Sequence, residues 1–432
     1  MNVAMIAFLL IVFFVLLFLG VPIAGSLGLA SISAVLLHVG GTTAAPITIA
    51  QRVFEGMNSF ALLAIPLYTF AGFTMSKGGI SKRIMDFCYS IVGHFTGGLA
   101  HVNVLSSMVF AGISGSAVAD TAGVSGMFMP EMIRKGYSKN LTVAVTAISS
   151  TIGIVIPPSI PMVVIAGICS ISTGKLFLGG IIPGILLGVA QMAVSYFLAK
   201  KEGVPKEEGR ISIKAIGKGL WSSLPALLMP IIIVGTITTG IVSPTEAGVI
   251  AVAYGLIAGG LIYRELKWSD IKFAFSETVK TSGKIFIVIG TAKLFTVMLT
   301  NAGFDDWVTG TMLGFTTNPT VILIMILLIF FIVTMFMESI ATLTLFMPIL
   351  FPLATSVGID PIVLSVLITI VIGVGLVTPP VGMCIYVACD LMKTRVGKVF
   401  PTLIPYLIAT FICIALMIIF PQIITWIPSL MG

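Results

Sequence analysis

Two short segments of the chain share a proline pair and much of its surroundings. GIVIPPSIPM spans residues 153–162, and GLVTPPVGM spans residues 375–383. The offset from Gly153 to Gly375 equals the offset between the two proline pairs. A proline inside a helix removes a backbone hydrogen bond and clashes with the preceding turn, so each pair predicts a broken helix. In a membrane protein, breaks at corresponding positions of two halves indicate an internal repeat and point to a transporter's binding site.

The composition places these repeats in a lipid bilayer. Of 432 residues, 58% are hydrophobic and only 9% are charged, whereas about a quarter of the residues in a soluble domain are charged. A helix needs roughly 20 apolar residues to cross a bilayer. The segments that fit are residues 4–19, 21–38, 57–76, 140–168, 177–199, 221–241, 245–263, 284–302, 361–390 and 402–427. The sequence therefore predicts an all-α polytopic membrane protein.

Two further apolar stretches, residues 97–132 and 319–353, are interrupted near their middles by Gly, Ser, Asp or Glu. We interpret them as re-entrant helical hairpins, and residues 140–168 and 361–390 as broken helices. Each half then has five crossings and one hairpin, and an odd number of crossings inverts the second copy. The predicted division is a first inverted repeat at 1–199, a cytoplasmic linker at 200–220 and a second inverted repeat at 221–432.

The basic residues predict the orientation. With the amino terminus outside, 20 of the 23 Lys and Arg residues fall in loops assigned to the cytoplasm. This asymmetry follows the positive-inside rule and predicts that both termini are periplasmic. The formal net charge of +7 thus reflects topology, and no nucleic-acid partner is expected.

The helix breaks and hairpin bends predict a cation site. Lipid cannot hydrogen-bond the carbonyls that a proline pair frees, so these groups must face protein or a wet cavity. Hard cations prefer oxygen ligands, and the first hairpin bend adds the hydroxyls of Ser114, Ser116 and Thr121. The alternative is that the small residues of the bend only let helices pack closely.

Two carboxylates, Asp120 and Glu338, lie nearest the hairpin bends. An ionisable residue at membrane depth is a functional candidate, because it needs a cavity or a partner. Each could contact an ion or the substrate. Each could instead cap the second arm of its hairpin, where a helix N-terminus stabilises negative charge. The sequence leaves both alternatives open.

Other motifs are missing from the sequence. It contains no G-x-x-x-x-G-K-[ST] phosphate loop, no H-E-x-x-H motif and no C-x-x-C pair, so a P-loop ATPase and a zinc metalloprotease are excluded. An integral-membrane enzyme is a weaker alternative, because no His or Cys constellation accompanies the hairpin acids. The prediction is a transporter and not an enzyme.

Several motifs resemble one transporter family. They are GISGSAVAD at 112–120, SGMFMPEM at 125–132, IPPS at 156–159, FMES at 336–339, FMP at 346–348 and TPPVGM at 378–383. Together they resemble the large membrane subunit of tripartite ATP-independent periplasmic (TRAP) transporters over nearly the whole chain. The chain is similar to sialic-acid members, and the motifs also fit a C4-dicarboxylate member.

The resemblance implies Na⁺-driven import of a small organic acid across the bacterial inner membrane by an elevator motion. It also implies a separate small membrane subunit and a periplasmic substrate-binding protein. A self-sufficient Na⁺/carboxylate symporter without a binding protein is the alternative.

The same resemblance implies two sites for Na⁺, the coupling ion. The first uses Ser114, Ser116, Gly153, Val155 and Pro157. The second uses Glu338, Thr342, Gly375, Val377 and Thr378, although its hairpin lacks the Ser-Gly-Ser of the first. Substrate contacts are expected at the same bends and breaks, from Ser116, Asp120, Ser159, Glu338 and Thr378.

Overall fold

The computed structural model describes residues 2–39, 44–204 and 212–430, and these residues form helices and loops without a strand. In the first half the helices are α1 (Val3–Phe18), α2 (Ile23–Val39), α3 (Ala44–Met57), α4 (Ala64–Lys77), α5 (Ile80–Val92), α6 (Gly98–Ser114), α7 (Ala117–Arg134), α8 (Lys139–Ser150), α9 (Ile160–Cys169) and α10 (Thr173–Lys201). In the second half they are α11 (Ile213–Thr238), α12 (Pro244–Ile257), α13 (Trp268–Asn301), α14 (Phe304–Phe315), α15 (Pro319–Thr334), α16 (Ser339–Ser356), α17 (Pro361–Gly375), α18 (Met383–Leu391), α19 (Val396–Ile419) and α20 (Gln422–Ser429).

The predicted all-α fold with two hairpins and two broken helices is confirmed. Helices α6 and α7 form the first hairpin, and α15 and α16 form the second. Helices α8 and α9 are the arms of the first broken helix, and α17 and α18 are the arms of the second. The proline pairs lie between these arms, and both pairs are joined by a cis peptide bond.

The order of elements recurs in the two halves. Helices α5 to α10 of the first half correspond in order to α14 to α19 of the second half. Helices α1 and α2 correspond to α11 and α12. The continuous α13 stands where the first half has two helices, α3 and α4. These two are separated near Ser59, which has an extended backbone and precedes a 3₁₀ turn at Phe60–Leu63. The repeat is therefore not symmetric in detail.

Helix boundaries differ from the predicted apolar segments, most clearly in α11, α13 and the last segment. Helix α11 begins at Ile213 and not at 221, and α13 begins at Trp268 and not at 284. The predicted segment 402–427 divides at Pro421 into α19 and α20, because proline has no N–H to continue the ladder. Hydropathy detects the part of a helix that lipid covers, whereas helical hydrogen bonding continues through polar residues.

Seven helices of the described ranges are long and apolar enough to cross a membrane alone: Phe60–Lys77, Thr173–Lys201, Ile213–Thr238, Pro244–Ile262, Trp268–Asn301, Ser339–Ser356 and Val396–Ile419. Helices α1 and α2, predicted as crossings, are apolar but have only 16 and 17 residues. The count of ten crossings, the residue boundaries of the repeats and the orientation remain predictions. Residues 205–211 of the predicted linker lie outside the described part of the chain.

The two broken helices form the centre of the protein. Every residue from Leu141 to Ser150 of α8 is buried, and so is every residue from Val363 to Gly375 of α17. A helix that is buried all round belongs to the interior. The halves also interlock here, because α18 packs on α7 and α8 while α9 packs on α16. Any site at the breaks is therefore built from both repeats.

Candidate cation and substrate site

The tip of the first hairpin is a tight turn pressed against the first helix break. Helix α6 ends at Ser114, and Gly115 then adopts a left-handed backbone with φ +62°. A Cβ atom at this position would lie 2.7 Å from the Pro158 carbonyl oxygen. Glycine is required because it tolerates both the backbone angle and the close approach. Ser116 then starts α7 by accepting a hydrogen bond from the Ala119 N–H at 3.4 Å.

One hydrogen bond joins each tip to the break of its own half. In the first half the Ile160 N–H donates to the Gly115 carbonyl over 3.3 Å. In the second half the Val381 N–H donates to the Met335 carbonyl over 3.0 Å. Both donors follow the proline pair in sequence. The two repeats therefore attach tip to break in the same way.

The two hydroxyls predicted at the breaks, Ser159 and Thr378, form hydrogen bonds with the backbone of the breaks. Ser159 Oγ donates to the Ile154 carbonyl over 2.5 Å and accepts from the Met162 N–H at 3.3 Å. In the second break, Thr378 Oγ1 donates to the Val374 carbonyl over 2.7 Å. Ser159 is fully buried and Thr378 is 7% exposed. Both hydroxyls retain lone pairs that a ligand could use.

Asp120 brings the first tip and the first break together. Ser114 Oγ donates to Asp120 Oδ1 over 2.5 Å. The other oxygen, Oδ2, is buried and has no hydrogen-bond partner among the described residues. It points at Gly153, where a methyl group would overlap it. Ser114, Asp120 and Gly153, which come from two separate segments of the chain, thus form one oxygen-rich cluster.

Glu338, the carboxylate of the second hairpin, lies at the position that Ser116 holds in the first hairpin. Glu338 is the N-cap of α16, and its Oε2 accepts hydrogen bonds from the Ile340 N–H at 3.0 Å and the Ala341 N–H at 3.3 Å. Asp120 lies one turn inside α7, whose cap is Ser116. Glu338 therefore caps its helix through hydrogen bonds, whereas Asp120 lies in the first turn of α7 without making a capping hydrogen bond.

The remaining predicted residues lie at the same two tips and breaks. Thr342 Oγ1 donates to the Glu338 carbonyl over 3.1 Å. Gly375 packs on Thr334 at the second tip, and Val377 is buried in the second break. In the first break, the Val155 carbonyl lies against Gly180 of α10, and the Pro157 carbonyl lies near Gly112 of α6. Their roles as ligands stay predictions.

Sequence reasoning missed a buried polar network between α6 and α8. Asn103 Nδ2 donates to Thr146 Oγ1 over 2.7 Å, and Ser149 Oγ donates to Asn103 Oδ1 over 3.1 Å. Ser107 Oγ donates to Ser149 Oγ over 3.0 Å. The i, i+4 spacing of Asn103 and Ser107, which places both on one helix face, was the available signal. The network ties the first hairpin to the first broken helix.

The second hairpin is held differently. The hydroxyls of Thr334, Thr344, Ser365 and Thr369 donate to carbonyls of their own helices. Among the described residues, no side-chain hydrogen bond links α15 or α16 to α17. Apolar packing and the Met335 backbone contact hold this hairpin in place.

Cysteine, histidine and carboxylate side chains do not assemble into a metal centre. In the described ranges, no group of three or more His, Cys, Asp or Glu residues could hold a metal ion. The thiols of Cys88, Cys169, Cys384, Cys389 and Cys413 are free. A cation at this site would therefore be bound mainly by carbonyl, hydroxyl and single carboxylate oxygens.

Two re-entrant hairpins whose tips meet two broken helices define a membrane transporter built from repeats. The family model of the tripartite ATP-independent periplasmic transporter, DctM component, matches residues 10–423. This chain belongs to that family, as the resemblance in its motifs predicted. It is a polytopic membrane permease and not an enzyme.

Several named relatives match nearly the whole chain. The sialic acid TRAP transporter permease protein SiaT of Haemophilus influenzae is 35% identical over 98% of this chain and 68% of its own length. The isethionate TRAP transporter permease protein DctMQ of Oleidesulfovibrio alaskensis is 35% identical over 97% of this chain and 64% of its own length. The C4-dicarboxylate TRAP transporter large permease protein DctM of Vibrio cholerae is 32% identical over 99% of this chain and 98% of its own length.

The fold is similar to that of a solved transporter structure. The Alcanivorax borkumensis YdaH transporter aligns with a TM-score of 0.60 and 13% sequence identity, covering 87% of this chain and 88% of its own. At this identity the similarity concerns the fold alone. The relatives differ in the substrates for which they are named, so the substrate of this chain is a separate question.

Proposed function

We propose that this chain is the permease of a Na⁺-driven importer for an organic acid of the sialic acid type, N-acetylneuraminate being the first candidate. The proposal includes an elevator motion, in which the hairpins and broken helices carry the substrate past the remaining helices. It also includes delivery by a periplasmic binding protein and a separate small membrane subunit in the bacterial inner membrane.

The observation that carries the proposal is the meeting of eight helix ends. Helices α7, α9, α16 and α18 begin at the tips and breaks, and α6, α8, α15 and α17 end there. Helix N-termini carry partial positive charge and attract anions, whereas C-terminal carbonyls carry partial negative charge and attract cations. Such half-helix ends suit an anionic substrate together with a coupling cation. An organic acid imported with Na⁺ has this combination of charges.

The residues proposed for Na⁺ are those at the two tip-and-break junctions. At the first junction these are Ser114, Ser116, Gly153, Val155 and Pro157. At the second they are Glu338, Thr342, Gly375, Val377 and Thr378. The substrate carboxylate is proposed to lie near the N-termini that Ser116 and Ser159 cap, with Asp120, Glu338 and Thr378 facing the same space.

Packing supports an elevator motion. The hairpins and broken helices interlock around the buried α8 and α17, so they can move as one body. Helices α1, α2, α12 and α13 pack mainly on one another or on α3 and α4, and α11 packs on α5 and α12. These helices suit the role of a scaffold, which the mobile part contacts where α13 packs on α16. The names of the relatives support the other parts: SiaT is named for sialic acid and belongs to a TRAP transporter.

Uptake into proteoliposomes tests the proposal. We expect uptake of labelled N-acetylneuraminate only with an inward Na⁺ gradient and only when the binding protein and the small subunit are both present. Added ATP should have no effect. Replacing Na⁺ by choline at equal ionic strength is the control, and uptake that persists in choline would contradict Na⁺ coupling.

The same assay separates the alternatives. Preferred uptake of a C4-dicarboxylate such as succinate would assign the chain to that substrate class, for which a full-length relative is named. Robust uptake of free substrate by this chain alone would instead support a self-sufficient Na⁺/carboxylate symporter.

A further inference from the structure

The first turns of α11 and α13 each expose a face that combines basic and aromatic side chains. On α11 these are Lys218 and Trp221, and on α13 they are Trp268, Lys272 and Phe275. Residues three and four positions apart lie on the same side of a helix, so each helix presents its members together. Trp221 is 78% exposed and Trp268 is 69% exposed. The two faces are therefore open to the surroundings of the protein.

The loop between α12 and α13 brings the two faces together. The Tyr263 hydroxyl donates to the Ser222 carbonyl of α11 over 3.0 Å, which holds the loop beside Trp221. The loop then folds back on the end of α12, because the Leu266 N–H donates to the Gly259 carbonyl over 3.1 Å. We call the resulting surface the interfacial patch, and it consists of Lys218, Trp221, Arg264, Trp268, Lys272 and Phe275.

The acids of this region are already engaged, whereas the basic residues of the interfacial patch are not. Glu265 Oε1 forms an ion pair with Arg83 of α5 at 2.7 Å. Asp270 Oδ2 accepts a hydrogen bond from a backbone N–H at the start of α13 at 2.9 Å. Among the residues that the structure describes, no carboxylate forms an ion pair with a basic side chain of the patch. Its positive charge is therefore uncompensated.

This combination of side chains suits the boundary between lipid headgroups and acyl chains. A contiguous apolar patch is unfavourable in water, and charged side chains are unfavourable in hydrocarbon. Aromatic rings and basic groups are both stable at the boundary. The predicted orientation places the patch on the cytoplasmic side, where the membrane surface is negative. We propose that the interfacial patch binds an anionic phospholipid, with the basic groups attracting the headgroup and the rings contacting the acyl chains.

A lipid bound here has a structural role in the scaffold. Helix α11 packs on α5 and α12, whereas α13 packs on α2, α3 and α4. A lipid held by both helices ties these two groups of helices together at one end. The inference is independent of the substrate and of Na⁺ coupling, because it concerns the helices past which the hairpins are proposed to move.

The two tryptophans of the patch are natural reporters for the test. Brominated phosphatidylglycerol and brominated phosphatidylcholine are titrated into the purified full-length chain in mixed micelles, and quenching of tryptophan fluorescence is measured. We expect the anionic lipid to bind more tightly, and its advantage to fall as the ionic strength rises. Replacing both Trp221 and Trp268 by Phe should remove most of the quenching that depends on the anionic lipid.

The basic residues are tested by combining Lys218→Gln, Arg264→Gln and Lys272→Gln. Each lost charge should weaken binding of phosphatidylglycerol about fivefold, and the triple variant roughly a hundredfold. Binding of phosphatidylcholine should change little. The matched control combines Lys139→Gln, Lys200→Gln and Lys201→Gln, which removes the same charge from exposed positions elsewhere on the predicted cytoplasmic side. The control should behave as the unmodified protein does.

Several results would overturn the inference. Equal affinity of the unmodified protein for the two lipids would refute a preference for an anionic headgroup. An equal loss in the control would show general attraction to a basic protein instead of a site. Displacement of the lipid by inorganic phosphate at equal ionic strength would assign the patch to a free anion. If the triple variant does not fold, Arg264→Gln alone is used, and unchanged affinity for phosphatidylglycerol in that variant would also refute the inference.

Discussion

Ser195 and Tyr406 share a hydrogen bond of 2.8 Å between their hydroxyl groups, although they lie in opposite halves of the chain. Ser195 is on α10 and Tyr406 is on α19. These two helices hold corresponding positions in the two repeats. Both side chains are fully buried. The two repeats are therefore joined by a polar contact in the interior as well as by apolar packing.

Tyr406→Phe should lower the free energy of unfolding by about 0.5–1.5 kcal/mol, the usual worth of one such hydrogen bond. The cost is limited because Ser195 Oγ also has the Gln191 carbonyl within 2.8 Å. Reversible unfolding in mixed micelles measures the change. Tyr386→Phe, on the half-exposed Tyr386, is the control, and an equal loss in both variants would count against the contact.

Ser116→Ala is expected to raise the Na⁺ concentration for half-maximal uptake, because it removes a proposed ligand at the first tip. The same hydroxyl caps α7, and losing a cap costs about 1 kcal/mol. Ser116→Gly separates the two effects, since glycine caps helices nearly as well as serine does. Uptake titrated with Na⁺ in both variants is the measurement, with Ser276→Ala at an exposed position of α13 as control. Normal Na⁺ dependence at normal expression would remove Ser116 from the ligands.

Asn103→Ala should loosen the first hairpin and leave the second unchanged. The substitution leaves Thr146 and Ser149 without their shared partner in a buried region, which costs about 1–3 kcal/mol. Hydrogen exchange followed by mass spectrometry should show faster exchange in α6 and α8. Helix α15 is the internal control, and faster exchange there to the same degree would indicate global destabilisation.

Cysteine labelling in intact cells tests the predicted orientation. Asn2→Cys and Gly432→Cys should react with an impermeant thiol reagent, whereas Lys206→Cys should be protected until the cells are opened. The five native cysteines give the background. Labelling of position 206 from outside, with protected termini, would reverse the orientation that the positive-inside rule predicts.

The sequence predicted the parts of the site that local chemistry determines. Proline pairs interrupt helices wherever they occur, and Gly115 between two serines predicts a tight bend. The relation between Asp120 and Glu338 could not be predicted in this way. It depends on which residue begins the second arm of each hairpin: Ser116 caps α7 four residues before Asp120, whereas Glu338 itself caps α16. The orphaned oxygen at Gly153 became visible only when the hairpin tip and the helix break, two separate segments of the chain, were placed together.

Helix lengths were predicted less well, and α13 shows why. Its first half contains Lys, Ser, Thr and Glu, which lower the hydropathy but do not stop a helix. Lys and Glu are in fact good helix formers. The 34 residues of α13 extend to about 51 Å at 1.5 Å per residue, well beyond the roughly 30 Å hydrocarbon core.

The unbroken α13 gives the two repeats different mechanical properties. In the first repeat, the corresponding part of the chain is divided at Asn58 and Ser59 into α3 and α4. A continuous helix acts as a strut, whereas a jointed pair can bend where its hydrogen-bond ladder is interrupted. If the hairpins move relative to the scaffold, we expect backbone bending to be concentrated at Asn58 and Ser59. Helix α13 should stay straight and move as a rigid unit.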